Sequence, residues 1–183
     1  VELMADLGSF LNQYAPVAQR TLQDIRVQYI ADDGRRFLYA NPEIKYDLIF
    51  IDPLYSFTTG HNNLYSREAM ALYQSHLNKG GVFCGWFNER HVIPKTAASV
   101  FPHVTKFREW LVAGNEPLHF DLEYIKSASA KYLENSTGLY TDTITVPLDP
   151  AAIFDEHVAN RECILANEES TPILMDTAPW LEY

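Results

Sequence analysis

Cysteine is scarce: Cys84 and Cys163 are the two in 183 residues, and they stand far apart without C-x-x-C spacing. That suggests neither a disulfide framework nor a zinc site, and makes reducing conditions the default. No run of about 18 apolar residues occurs, so no transmembrane helix is expected. The opening Val1-Glu2-Leu3-Met4-Ala5-Asp6 has no basic stretch and does not read as a signal peptide. Basic residues are also few, 14 Lys and Arg against 24 Asp and Glu, for a net charge of -10. They are scattered along the chain, so a phosphate-tracking face for nucleic acid is not expected. Histidines are present, but no H-x-x-x-H or H-E-x-x-H spacing is, and a metal site is not expected. There is no G-x-S-x-G elbow for a nucleophilic serine and no G-x-G-x-x-G loop.

What remains is the composition of a globular protein with a real core: 47% hydrophobic and 21% charged residues. The length suits a single domain over residues 1–183. The acidic balance would favour a cationic substrate such as a polyamine, and solubility explains it equally well.

The chain reads as alternating strands and helices. Arg26 to Ala31 is expected as a strand, Arg35 to Tyr39 as a short helix stopped by Asn41-Pro42. Asp47-Leu48-Ile49-Phe50-Ile51-Asp52 is a near-continuous apolar run, the pattern of a parallel strand buried on both faces. A loop over 56–63 leads to a helix from Ser66 to Leu77, whose apolar residues share one face. Asn78-Lys79-Gly80-Gly81 reads as a helix cap and turn before a strand from Val82 to Phe87, where Cys84 would be an inert core thiol. A helix from Pro94 to Val100 follows. Further on, 106–113 and 141–146 read as strands of an antiparallel edge. Helices are expected over 122–134 and 151–160, and a loop over 171–176. The expected class is α/β, with a mostly parallel sheet.

In such sheets ligands bind beyond the carboxyl ends of the strands. Glu2, Asp33 and Asp52 all stand at such ends. Carboxylates there suit ribose hydroxyls, an adenine amino group and a reacting amine. Each also has an ordinary structural use, as a turn former or helix cap. His61, in the loop after Asp52, reads as a solvated side chain.

Taken in order, these segments resemble a known family. Glu2-Leu3, Asp32-Asp33-Gly34-Arg35-Arg36-Phe37-Leu38 and Tyr46 to Asp52 are similar to three successive motifs of spermidine synthases. Asn63-Leu64-Tyr65-Ser66-Arg67-Glu68 and Leu77-Asn78-Lys79-Gly80-Gly81-Val82 continue the likeness. Trp86, Val100-Phe101-Pro102-His103-Val104 and the closing Asp176-Thr177-Ala178-Pro179-Trp180-Leu181-Glu182-Tyr183 look closest to a branch that includes proteins fused to membrane transporter segments. The likeness covers most of residues 1–110 and returns at the end.

The resemblance implies a Rossmann-like fold of the S-adenosylmethionine-dependent methyltransferase type. It implies aminopropyl transfer from decarboxylated S-adenosylmethionine to a small amine such as a polyamine, without a metal. Glu2 would hold the ribose, Asp33 and Gly34 the adenine, and Asp52 would be the catalytic aspartate. Tyr55 and Trp86 would face the substrate. Tyr55 stands where synthases carry a second acid that holds the cationic acceptor, which puts polyamine specificity in question. Trp86 stands near a usual glutamine, as a cation–π wall or as core. Two alternatives follow: methyl transfer from S-adenosylmethionine, or a non-catalytic sensing or interaction domain. The family's Gly-rich loop and first strand would precede Glu2, so the chain is expected to be amino-terminally truncated and to bind nucleoside weakly by itself. The strand edge left open would invite association with further copies. The expected location is the cytoplasm, or the cytoplasmic face of a membrane if a membrane segment is attached.

Overall fold

The computed structural model describes residues 1–14, 21–53, 62–121, 123–125, 127–128 and 158–178. They group into two compact units, Val1–Lys45 and Tyr46–Tyr183.

The first unit contains helices α1 (Leu7–Tyr14) and α2 (Gly34–Ala40). Helix α2 starts where Asp33 accepts the Arg36 N–H at 2.8 Å, satisfying one of the unpaired donors of the first turn. It stops at Asn41, whose side-chain amide donates to the Phe37 carbonyl at 2.7 Å, just before Pro42. The strand expected over Arg26 to Ala31 is corrected: 27–30 is irregular, and Ala31 makes a single parallel bridge to Glu2. β-favouring residues do not make a strand without a partner of matching length.

The described residues of the second unit form an α/β fold with an open, mixed five-stranded sheet, compatible with a Rossmann-like fold. Strands β1 (Tyr46–Ile51), β2 (Leu77–Trp86), β3 (His103–Phe107), β4 (Trp110–Gly114) and β5 (Val158–Asn160) lie in the order β1-β2-β4-β3-β5. Only β1 and β2 pair in parallel; the other three pairings are antiparallel, so the expectation of a mostly parallel sheet is corrected. The cause is a tight hairpin. What reads in sequence as one strand over 106–113 is two, turning at Arg108 and Glu109, and β4 inserts between β2 and β3. The reversed strand is therefore internal among the described strands. Residues 141–146 lie outside the described residues, as do most of 122–134 and 151–157; Val158–Asn160, expected as helix, is β5.

Between β1 and β2 the chain crosses through α3 (Asn62–Tyr65) and α4 (Arg67–Ser75). Ser66 caps α4 by accepting the Ala69 N–H at 3.1 Å. The helix ends at Ser75 with His76 as its cap, two residues short of the expected Leu77, because Leu77 already pairs with Tyr46. The expected turn over Asn78 to Gly81 is part of β2, which is irregular in register there. Gly81 is needed at this bulge, since a Cβ would lie 2.7 Å from the Tyr46 carbonyl oxygen. Helix α5 (Val92–Val100) begins where the Glu89 carboxylate accepts the N–H groups of His91 and Ile93, each at 2.9 Å. Helix α6 (Arg161–Asn167) is capped by Asn160.

The core lies between one sheet face and these helices. Phe83 stacks on Tyr73 of α4 at 5.2 Å and on Phe101 at 5.9 Å, and Leu111, Ala113 and Val104 are buried beside it. The segment expected as a loop over 171–176 is irregular but tightly held. Leu174 is fully buried, its carbonyl accepts from Arg67 and its N–H donates to the Thr96 hydroxyl. The expectation that β1 is buried on both faces is corrected: Leu48 and Phe50 are 55% and 52% exposed. Strand β1 is at the end of the described sheet, and its residues alternate between the helix-covered face and an open one.

Candidate functional site

In the first unit the expected site residues Glu2, Asp33 and Gly34 gather at one end of a parallel bridge. The Glu2 N–H donates to the Ile30 carbonyl at 2.9 Å, and the Asp32 N–H donates to the Glu2 carbonyl at 3.0 Å. Glu2 turns one carboxylate oxygen back to the Met4 N–H at 2.9 Å, and Met4 is tied in turn by the Tyr29 hydroxyl at 2.6 Å. The two adjacent aspartates have separate tasks. Asp32 receives its neighbour's N–H and the Arg36 guanidinium. Exposed Asp33 caps α2 with one oxygen, leaving the other for a second donor.

Gly34 is informative by what surrounds it. It is the first residue of α2, has no left-handed φ, and a Cβ built there meets nothing within 4 Å. Neither backbone conformation nor packing calls for glycine, and the space beside it is open to a group approaching the backbone.

In the second unit Asp52 follows β1 directly and is exposed. Because Ile51 pairs with Gly85, Asp52 and Trp86 end neighbouring parallel strands at the same end of the sheet. Trp86 is half-buried and alternates away from buried Phe83 and Phe87, so it lies on the open face. It pairs with Trp110, which stacks on Phe50 at 5.8 Å. Trp86 therefore belongs to an aromatic band and is not packed among the helices. Tyr55 and His61 lie outside the described residues.

Sequence reasoning passed over Tyr65 and Asn62. Tyr65 is buried, and its hydroxyl donates to the Trp86 carbonyl, tying α3 to the end of β2. Burial, with the nearby charges of Tyr73 and Asp52, pushes the Tyr65 phenol far up, so it remains a neutral donor. Asn62 is fully buried with its side-chain oxygen unpaired. The polar Asn62-Asn63 pair before an apolar helix was the available signal. The expectation that Cys84 lies in the core is corrected: it is half-buried on the same face as Trp86, and that burial pushes its thiol up. Among the described residues no group of three His, Cys, Asp or Glu side chains could hold a metal, and no helix is long and apolar enough to cross a membrane.

No model of a known protein family matches this chain, and no curated protein matches it.

Proposed function

We propose that this chain is a nucleoside-binding domain of the Rossmann-like, S-adenosylmethionine-dependent type. More narrowly, it is a spermidine-synthase-like transferase that moves an aminopropyl group from decarboxylated S-adenosylmethionine to a small amine. The observation that carries this reading is Gly34: a glycine that its own fold does not require, directly after Asp33 and at the bridge that holds Glu2. In this reading Glu2 accepts from the ribose diol, and Asp33 and Gly34 meet the adenine.

The chemistry asks little of the protein beyond positioning. The neutral amine uses its lone pair to form a nitrogen–carbon bond to the methylene beside the sulfonium. The carbon–sulfur bond breaks, and its electrons neutralise the sulfur as methylthioadenosine leaves. Asp52 orients the amine and takes the proton it releases. An exposed carboxylate suits that role, and the half-buried face of Trp86 suits a cationic chain.

A second reading is favoured by Tyr55, which stands where synthases carry the acid for a cationic acceptor. Methyl transfer from S-adenosylmethionine would not need that acid. Calorimetric titration with S-adenosylmethionine, its decarboxylated form and methylthioadenosine tests both. Preference for the decarboxylated form, lost in Asp33→Ala, is the expected result. Release of S-adenosylhomocysteine in place of methylthioadenosine would move the assignment to methyl transfer. Binding without turnover, unchanged in Asp52→Asn, would make this a sensing domain.

A further inference from the structure

The β3–β4 hairpin turns through two residues, Arg108 and Glu109, and Arg108 has φ 49°. Glycine takes this left-handed conformation freely, and asparagine or aspartate with little strain. A long side chain takes it at a cost. Among the described residues no ion pair or hydrogen bond engages the exposed Arg108 guanidinium, so no contact within the fold offsets that strain.

A cavity of about 600 Å³ opens beside this turn, lined by Arg90, Lys106, Arg108, Glu109, Val158 and Ala159. Its size falls within the range of small-molecule sites. Three cations face one carboxylate there, in a chain whose net charge is -10.

Two of the three cations are held in place. Lys106 Nζ donates to the Arg90 carbonyl at 2.6 Å, and the Arg90 guanidinium donates to Glu109 Oε1 at 3.0 Å. The Glu109 carbonyl accepts from Phe87, which fixes the turn on the end of β2. The neighbouring acids are occupied elsewhere: Glu168 by Thr171 and His91, Glu89 by the backbone at the start of α5. Burial pulls the Lys106 ammonium down against the pull of these acids, the behaviour of a cation short of a direct anionic partner.

We propose that this cavity binds a small phosphorylated ligand, with Lys106 and Arg108 donating to its phosphate and Val158 and Ala159 against its apolar part. Two cations without a bonded carboxylate match a dianion, and the guanidinium fork suits phosphate oxygens. The site stands on different residues from the proposed transferase function, and neither depends on the other.

The test is an NMR titration of the chain with inorganic phosphate at constant ionic strength, with acetate as a parallel arm. The expected result is saturable shifts confined to Arg90, Lys106 to Glu109 and Ala159, with phosphate binding more tightly than acetate. Arg108→Gly removes the guanidinium and the strain together. It should weaken phosphate by about tenfold or more while raising the thermal midpoint. Lys106→Gln should weaken binding alike. Shifts that rise linearly without saturating, acetate binding as tightly as phosphate, or an Arg108→Gly chain that binds unchanged or melts lower would each overturn the proposal.

Discussion

The two units are held by different forces. Among the described residues of the first, only Leu38 is buried, and its structure rests on a few bonds: a capped helix, the Arg36–Asp32 pair four residues apart, and one parallel bridge that joins Glu2 to distant Ala31. The second holds the rest of the described core, where Phe83 packs on Tyr73 and Phe101 and distant Leu174 meets Thr96. Both carry carboxylates expected to bind or act on substrate. The difference teaches that Asp33 and Gly34, proposed to meet the adenine, are shaped largely by local sequence, whereas the strand end at Asp52 depends on a cooperative core.

That contrast can be broken by mutation. The largest effect is expected from Phe83→Ala, which empties the centre of the second unit and should cost roughly 3–5 kcal/mol in chemical denaturation. A loss confined to β2 would show that the core is less cooperative than its packing implies. Arg108→Gly should instead stabilise the same unit by about 1 kcal/mol, by releasing the left-handed backbone. Asp33→Ala removes a helix cap and should cost about 1 kcal/mol, with faster hydrogen exchange in Gly34–Ala40 and no change at β2. Loss of protection in both units would contradict the separation. The smallest effect concerns pH. Burial raises the Glu168 carboxyl, but hydrogen bonds from Thr171 and His91 outweigh it and hold the group below its ordinary value of 4.5. Its contribution is present above that value and is lost as pH falls through the lower folded one. The segment after α6 should therefore loosen first in acid, by less than about 1 kcal/mol, visible as exchange at Thr171 and Leu174.

Much of the fold was legible where local rules suffice. Helix α2 followed from Asp33 and Asn41-Pro42, β1 from its apolar run, and α4 from Ser66 and its apolar face. Errors gathered where a partner decides. Gly80-Gly81 reads as a turn, yet Gly81 lets β2 bulge against Tyr46. The 108–109 turn was invisible because Arg108-Glu109 carries none of the glycine or asparagine that marks a tight hairpin. Of the candidate site, Asp52 was visible as the end of the apolar run of β1, and Asp33 as a residue type that caps helices. Tyr65 and Asn62 were missed, since burial makes them matter and no spacing announces it.

By itself the sequence determined the local pieces: the helix caps, the apolar strand ending in Asp52, and the neighbouring Asp32, Asp33 and Gly34. These depend on residues within a turn or two of each other, where sterics and short hydrogen bonds act. Tertiary structure alone decided which strand reverses, which face of β1 stays open, and that Arg90, Lys106 and Arg108 line one cavity. Such outcomes come from pairing and burial between segments distant along the chain, and the order of residues does not encode that distance.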